Sequence, residues 1–218
     1  MSGSQAAQGP GLSLPASALP NPPQARGRRS RDRVIAAAWK LLDEHGAHSG
    51  EVTVRAIAAA ANVSTGSIYH HFGDLDQIIA AVAERYVAEM SATVAAARDV
   101  ASRQSWEEMV DAALAGYVDF FRRHAGLRDL WFDEYGSSGV VELHRAHRER
   151  IAQELRRNFT DLTSVDLGPV VHRVAIAIAG SLFELAFRAD PAGDAQVITE
   201  LHRTLRGFYR ERLEACAQ

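Results

Sequence analysis

The chain has a single cysteine, Cys216, and a single lysine, Lys40, among 218 residues. One thiol excludes a disulfide framework and a cysteine-based zinc site, and it fits a reducing compartment. No apolar run approaches the ~20 residues a membrane span needs. The longest, from Val174 to Phe183, stops at Glu184. No basic n-region followed by an apolar h-region is present, so a cytoplasmic protein without a membrane partner is expected. No segment alternates as a strand would, and no internal repeat is visible. No serine–histidine–acid or paired-carboxylate arrangement stands out, so neither a catalytic residue nor a cofactor is expected.

What is there is a globular composition with 47% hydrophobic residues, too apolar for a disordered chain. The net charge of −3 argues by itself against a nucleic-acid binder. Its distribution argues the other way. Residues 26–73 carry a net +3 and residues 74–218 a net −6. A basic end on an acidic body suits a molecule of which only that end meets phosphate.

The apolar spacing predicts an all-α protein of about nine helices in three stretches. Residues 1–27, rich in Ser, Gly, Ala, Gln and Pro, read as a disordered tail with a basic end. Residues 28–73 read as three short helices. Ser30 is the expected cap of the first, whose Val34, Ile35, Ala38, Leu41 and Leu42 recur at helical spacing up to Gly46. Thr53 is the expected cap of the second, with Val54, Ile57, Ala58 and Ala61 inward. Asn62 suits the left-handed turn that follows. Ser64 is the expected cap of the third, with Ile68 and Phe72 inward.

Residues 74–218 read as a larger helical domain. Asp74 with Gln77 and Ser105 with Glu108 have the spacing of capping boxes. Further helices are expected at Leu127 to Tyr135, Val140 to Phe159, Pro169 to Phe187 and Ala195 to Leu213, with a loop from Gly136 to Gly139.

Two short helices joined by a tight turn form a helix-turn-helix, whose second helix can enter the major groove. That helix needs an apolar back and a small polar front. Ile68 and Phe72 supply the back; Thr65, Gly66 and Ser67, extended by Tyr69 and His70, supply the front. The run Thr53-Val54-Arg55-Ala56-Ile57-Ala58-Ala59-Ala60-Ala61-Asn62-Val63-Ser64-Thr65-Gly66-Ser67-Ile68-Tyr69-His70-His71-Phe72 closely resembles the DNA-binding signature of the tetracycline-repressor (TetR) family of transcription regulators. The resemblance covers about residues 29–79. It implies a DNA-binding repressor that is released from its operator by a small molecule.

Residue by residue, the resemblance implies phosphate bonds from Thr53 and Tyr69, and places Thr65, Ser67 and His70 near base edges. His71 would lie close to the backbone, and Arg55 would reach a phosphate or a base. Ser64 and Gly66 complete the DNA-binding set. Asn62 stands where the family usually has glycine. Leu75 stands where it often has lysine, so one phosphate contact is missing. Arg28 and Arg29, at the basic end of the tail, are candidates to replace it. A solvated surface would produce the same arginine run.

In the larger domain, His144 and His147 share a helix face with Val140, Ile151 and Leu155. Tyr117, Phe121, His124, Trp131 and Tyr135 lie on the preceding helices. Together they are candidates for the site of an unknown small-molecule effector, mostly apolar with a few polar anchors. An ordinary aromatic core would look the same. A metal on His144 and His147 would lack a third ligand.

Val174, Ile178 and Leu182, with the small Gly180, form a stripe near the end of the chain, and Leu205 belongs to a second one. The resemblance implies that the last two helices pair with those of a second copy. The partners expected are therefore a near-palindromic double-stranded DNA, a second copy of the chain and the effector. A buried intrachain core would give the same periodicity. The competing class is an all-helical enzyme or carrier in which the short helices only pack.

Overall fold

The computed structural model describes residues 22–47, 49–101, 105–132, 138–188 and 190–217. Among the described residues the chain forms nine α-helices and one 3-10 turn, with no strand.

Helix α1 (Pro22–His45) starts more than two turns earlier than a cap at Ser30 suggests. Residues 22–27, assigned above to a disordered tail, are therefore helical. The physical reason is positional: proline lacks an N–H that the first helical turn would leave unpaired anyway, so Pro22 and Pro23 open the helix rather than break it. Val34, Ile35, Ala38 and Leu42 are buried as their spacing requires.

The next two helices follow the local signals closely. In α2 (Val54–Ala61) the Thr53 side chain accepts from the Ala56 N–H, and Asn62 ends the helix at φ 53°. In α3 (Thr65–Phe72) the Ser64 hydroxyl accepts from the Ser67 N–H. Each cap satisfies an otherwise orphaned donor. Ile57, Ala58 and Ala61 of α2 and Ile68 and Phe72 of α3 are buried, which holds the two helices at a set angle against α1.

Helix α4 (Leu75–Ala101) connects this head to the body. Asp74 caps it by accepting from the Gln77 N–H at 2.8 Å. Helix α5 (Trp106–Arg123) is capped by Ser105, which accepts from the Glu108 N–H. The two helices pack closely, and Gly116 allows it: a Cβ there would lie 3.3 Å from the Val94 Cα.

The helix expected from Leu127 to Tyr135 is split. A 3-10 turn (Ala125–Leu127) is followed by a single α-turn, α6 (Asp129–Phe132). Tyr135 lies outside the described residues, as do Gly136 and Ser137 of the expected loop. Ser138 and Gly139, expected in that loop, instead open α7 (Ser138–Thr163). Helices α8 (Gly168–Arg188) and α9 (Ala195–Cys216) complete the body. One apolar core runs from Val34 in the head to Tyr209 in α9. Its far end is aromatic, with Phe159 stacked on Tyr209 at 4.2 Å.

Candidate functional site

Helix α3 is polarised as a reading helix should be. Its back, Ile68 and Phe72, is buried, whereas Thr65, Gly66, Tyr69 and His70 are exposed and Ser67 and His71 half-exposed. Tyr69 is 56% exposed. A Cβ on Gly66 would approach only the Ser64 hydroxyl, at 3.9 Å, so the fold does not need glycine. Glycine costs a helix about 1 kcal/mol relative to alanine.

Three further groups surround that front. Thr53 and Arg55 are exposed at the start of α2. The basic end of α1 passes beside α3: a Cβ on Gly27 would touch His71 at 3.7 Å, and the Arg31 guanidinium sits 5.2 Å above the Phe72 ring. Arg28 and Arg29 are exposed on that same stretch. They are carried by a rigid helix rather than by a flexible tail, which fixes their position relative to α3. Helix α3 and the N-terminal end of α1 thus offer hydroxyls, imidazoles and guanidiniums on one side of the head.

The candidate effector residues divide. Tyr117, Phe121, Trp131, His144 and His147 form a connected cluster between α5, α6 and α7. Ring centroids are 6.1 Å apart for Tyr117–Phe121 and 6.3 Å for Phe121–Trp131. Trp131 then lies 4.8 Å from His144 and 5.3 Å from His147. Phe183 of α8 closes one side, 5.5 Å from both Tyr117 and Phe121.

Both histidines are held neutral. Burial, with help from Arg148, lowers the pKa of His144 to about 4. Burial, Arg150, His144 and Arg148 lower that of His147 to about 4. Burial and the nearby Glu154 carboxylate push the Tyr117 phenol far up, so it keeps its proton.

His124 does not belong to this cluster. Its Nδ1 is 3.3 Å from Asp43 Oδ2, and its ring packs on Trp39, Tyr86 and Phe120. It lies at the junction of head and body. Helical periodicity indicates that His124 faces inward but not which layer it meets. The 3-10 turn beside it fits against the end of α1: a Cβ on Gly126 would collide with the Asp43 carbonyl and lie 2.6 Å from that of Leu42.

Sequence reasoning passed over the polar edge of the cluster. Arg150 Nη2 lies 2.9 Å from His147 Nδ1 and 3.0 Å from Ser91 Oγ. Arg98 donates to Glu154 at 3.2 Å. Each occupies a polar position on a long helix and looks like solvated surface until α4 and α7 are brought together. A separate crevice of about 350 Å³ lies between α1 and α4, lined by Arg31, Asp32, Ile35, Ala81, Glu84 and Arg85. Four of its six lining residues are charged.

Helix α8 is apolar on two faces. His172, Ala175, Phe183, Ala186 and Phe187 are buried inward. Val170 and Leu185, each 59% exposed, and Val174, 41% exposed, point outward. Its length and mean hydropathy of 1.6 would suffice for a membrane span, although 28% of that stretch is already buried in the protein. Ile178 and Leu182 are half-buried and pack partly on the core. A Cβ on Gly180 would meet nothing within 4 Å. Leu205, expected on the same outer surface, is only 4% exposed and belongs to the chain's own core. On α9 the exposed positions include Arg203, Thr204, Arg206, Gly207 and Arg210.

Two family models match the chain. The model described as bacterial regulatory proteins of the tetR family covers residues 34–82, and the one described as the tetracyclin repressor-like C-terminal domain covers residues 105–208. The HTH-type transcriptional regulator BetI of Stenotrophomonas maltophilia is 25% identical over 191 residues, 86% of this chain and 94% of its own. The HTH-type transcriptional repressor AcnR of Corynebacterium efficiens is 37% identical over 65 residues, 30% of this chain and 34% of its own. Among solved structures, a TetR-family transcriptional regulator from Streptomyces coelicolor superposes with a TM-score of 0.60 at 25% identity, covering 84% of this chain and 98% of that one.

Proposed function

The chain belongs to the TetR family of helix-turn-helix transcriptional regulators, and from that premise we propose that it is a homodimeric repressor released from a near-palindromic operator by a small molecule. The observation that carries the DNA-binding side is the polarised α3. Its apolar back is buried, its polar front is exposed, and the basic end of α1 is fixed beside it. In this reading Tyr69, Thr53, Arg28 and Arg29 bond phosphates and position the head. Thr65, Ser67 and His70 reach base edges, Gly66 permits close approach, and His71 and Arg55 flank the groove with Ser64. The head comprises residues 22–73 and the effector and dimerisation domain residues 74–217.

A single head offers too few base contacts to select an operator. A second copy related by a twofold axis supplies the other half-site, about one helical turn or ~34 Å away. The outer face of α8 is the natural seat for that copy. Val170, Val174 and Leu185 are large apolar side chains left uncovered on that face, with Ala177 and Ser181 between them and Arg173 at the edge, and an exposed apolar stripe of this kind suits an interaction surface. The covering is protein rather than lipid, because the inner face of the same helix, through Ala175, Phe183, Ala186 and Phe187, already packs in the protein's own apolar core.

The effector occupies the Tyr117, Phe121, Trp131, His144 and His147 cluster. Trp131 sits on α6, four residues after Leu127 in the turn that docks on α1. A ligand that displaces Trp131 therefore pushes on the end of α1 and alters the spacing of the two heads. The effect requires differential binding to two states, not contact alone. The chain acts through binding, without a catalytic step, in the cytoplasm where its DNA is. Footprinting on the intergenic DNA beside its own gene tests the proposal. A protected, two-fold symmetric site with a steep salt dependence is expected. Weak binding that ignores both sequence and salt would instead favour a helical carrier.

A further inference from the structure

The hydrogen bonds around His147 fix where its proton sits. Arg150 Nη2, which can only donate, lies 2.9 Å from His147 Nδ1, so Nδ1 presents a lone pair. The Ser91 hydroxyl cannot compete for that role: it donates to the Val87 carbonyl at 2.6 Å and accepts from Arg150 at 3.0 Å. It is left 3.4 Å from Nδ1 with no proton to offer. The ring is neutral, because burial and the Arg150 and Arg148 charges disfavour a second proton. Its one hydrogen is therefore on Nε2.

That Nε2–H is buried and has no hydrogen-bond partner among the described residues, in a side chain only 3% exposed. The Trp131 ring, edge-on at 5.3 Å, offers no more than a π face, which is a weak acceptor. A buried donor without an acceptor is costly to the protein and valuable to any ligand that brings one. The surrounding charge selects among ligands. Arg148 and Arg150 lie on the same turns of α7, and the nearby Glu154 carboxylate is already engaged by Arg98. Aromatic faces attract cations, but here two guanidiniums oppose one.

We propose that the effector carries a carbonyl or carboxylate oxygen on an apolar body and places that oxygen on the Nε2–H of His147, and that it is not an amine. This rests on the ligand-binding reading given above and names the chemistry of that site.

The test is calorimetric titration of the full chain with four probes of one shape: benzoate, benzamide, toluene and phenyltrimethylammonium. Benzoate or benzamide is expected to bind at least about tenfold more tightly than the other two. Benzoate ahead of benzamide makes the effector an acid, and the reverse makes it a neutral carbonyl compound. His147→Phe should abolish the preference while leaving toluene binding in place. His147→Gln, whose amide N–H stands in for Nε2–H, should restore it. ¹⁵N spectra of the imidazole should show the Nε2–H tautomer and a shift on adding the preferred probe.

Equal binding of toluene and benzamide, unchanged by His147→Phe, would overturn the inference and leave the ligand site standing. An Nδ1–H tautomer, or preferential binding of the ammonium, would overturn it likewise. If none of the four binds, the ligand site at this cluster falls, and the inference falls with it.

Discussion

Replacing Gly180 with arginine separates an interface from a core more cleanly than any other single change in this chain. Within one copy the substitution has room, since a Cβ at that position meets nothing within 4 Å. The helix itself should gain, because arginine is better than glycine in a helix interior by roughly 0.8 kcal/mol. In a twofold dimer built on α8 the outcome reverses. Two guanidiniums would be added to a helix surface on which Val170, Val174, Ala177, Ser181 and Leu185 are exposed, with Arg173 a cation at its edge. Placing an unpaired charge in such a setting costs several kcal/mol per ion. Even about 2 kcal/mol from each copy weakens dimerisation roughly a thousandfold.

Sedimentation velocity at micromolar concentration, run beside circular dichroism and operator titration, reads all three consequences. The expected variant is a helical monomer of unchanged or slightly raised melting temperature that no longer protects a full palindrome. A Gly180→Arg protein that stays dimeric and binds the operator normally would refute the reasoning and move the interface off α8. A wild-type protein that is monomeric at micromolar concentration and still protects a palindrome would do the same.

Other tests follow from the same geometry. Tyr69→Phe removes only an exposed hydroxyl, so operator affinity should fall by about 1 kcal/mol with no change in melting temperature. Equal affinity in a fluorescence-anisotropy titration would remove Tyr69 from the interface. Thr53→Ala is a poorer probe, because that hydroxyl also caps α2 and its loss should cost about 1 kcal/mol of stability. Gly126→Ala forces a methyl against the backbone of Leu42 and Asp43. It should destabilise the chain by roughly 1–3 kcal/mol and shift operator affinity; a wild-type melting curve would show that the 3-10 turn does not bear on α1. Stability should also fall as pH drops from about 6.5 to about 4. In that window the unfolded chain protonates His144 and His147 while the folded one resists, at a cost of up to roughly 3 kcal/mol for each. Urea unfolding at pH 7 and pH 5 measures this. Replacing both histidines with phenylalanine should flatten the dependence, leaving what His172 and His202 contribute in the same direction. An equally steep loss in the double variant would refute the assignment.

The head was legible in the sequence because its determinants are local. Thr53, Ser64 and Asp74 each accept from an N–H three residues ahead, and Asn62 turns the chain by its own φ. Such signals survive in any tertiary context that permits the helix. The start of α1 was misplaced for an equally local reason: Pro22 and Pro23 carry opposite meanings inside a helix and in its first turn, and sequence pattern alone did not choose between them. The body was only half legible. Periodicity established the inward face of α7, with Val140, His144 and His147 buried, but in α8 the stripe it marked at Val174, Ile178 and Leu182 is not the buried one, which is His172, Ala175, Phe183, Ala186 and Phe187. Tertiary packing alone sent His124 to Asp43 and the head junction while bringing His144 and His147 to Trp131. Packing also buried Leu205 while leaving Val170 and Leu185 in water, although all three lie on apolar stripes. The partner opposite a helix face depends on crossing angles and on close approaches such as those at Gly116 and Gly126, which no residue spacing along the chain encodes.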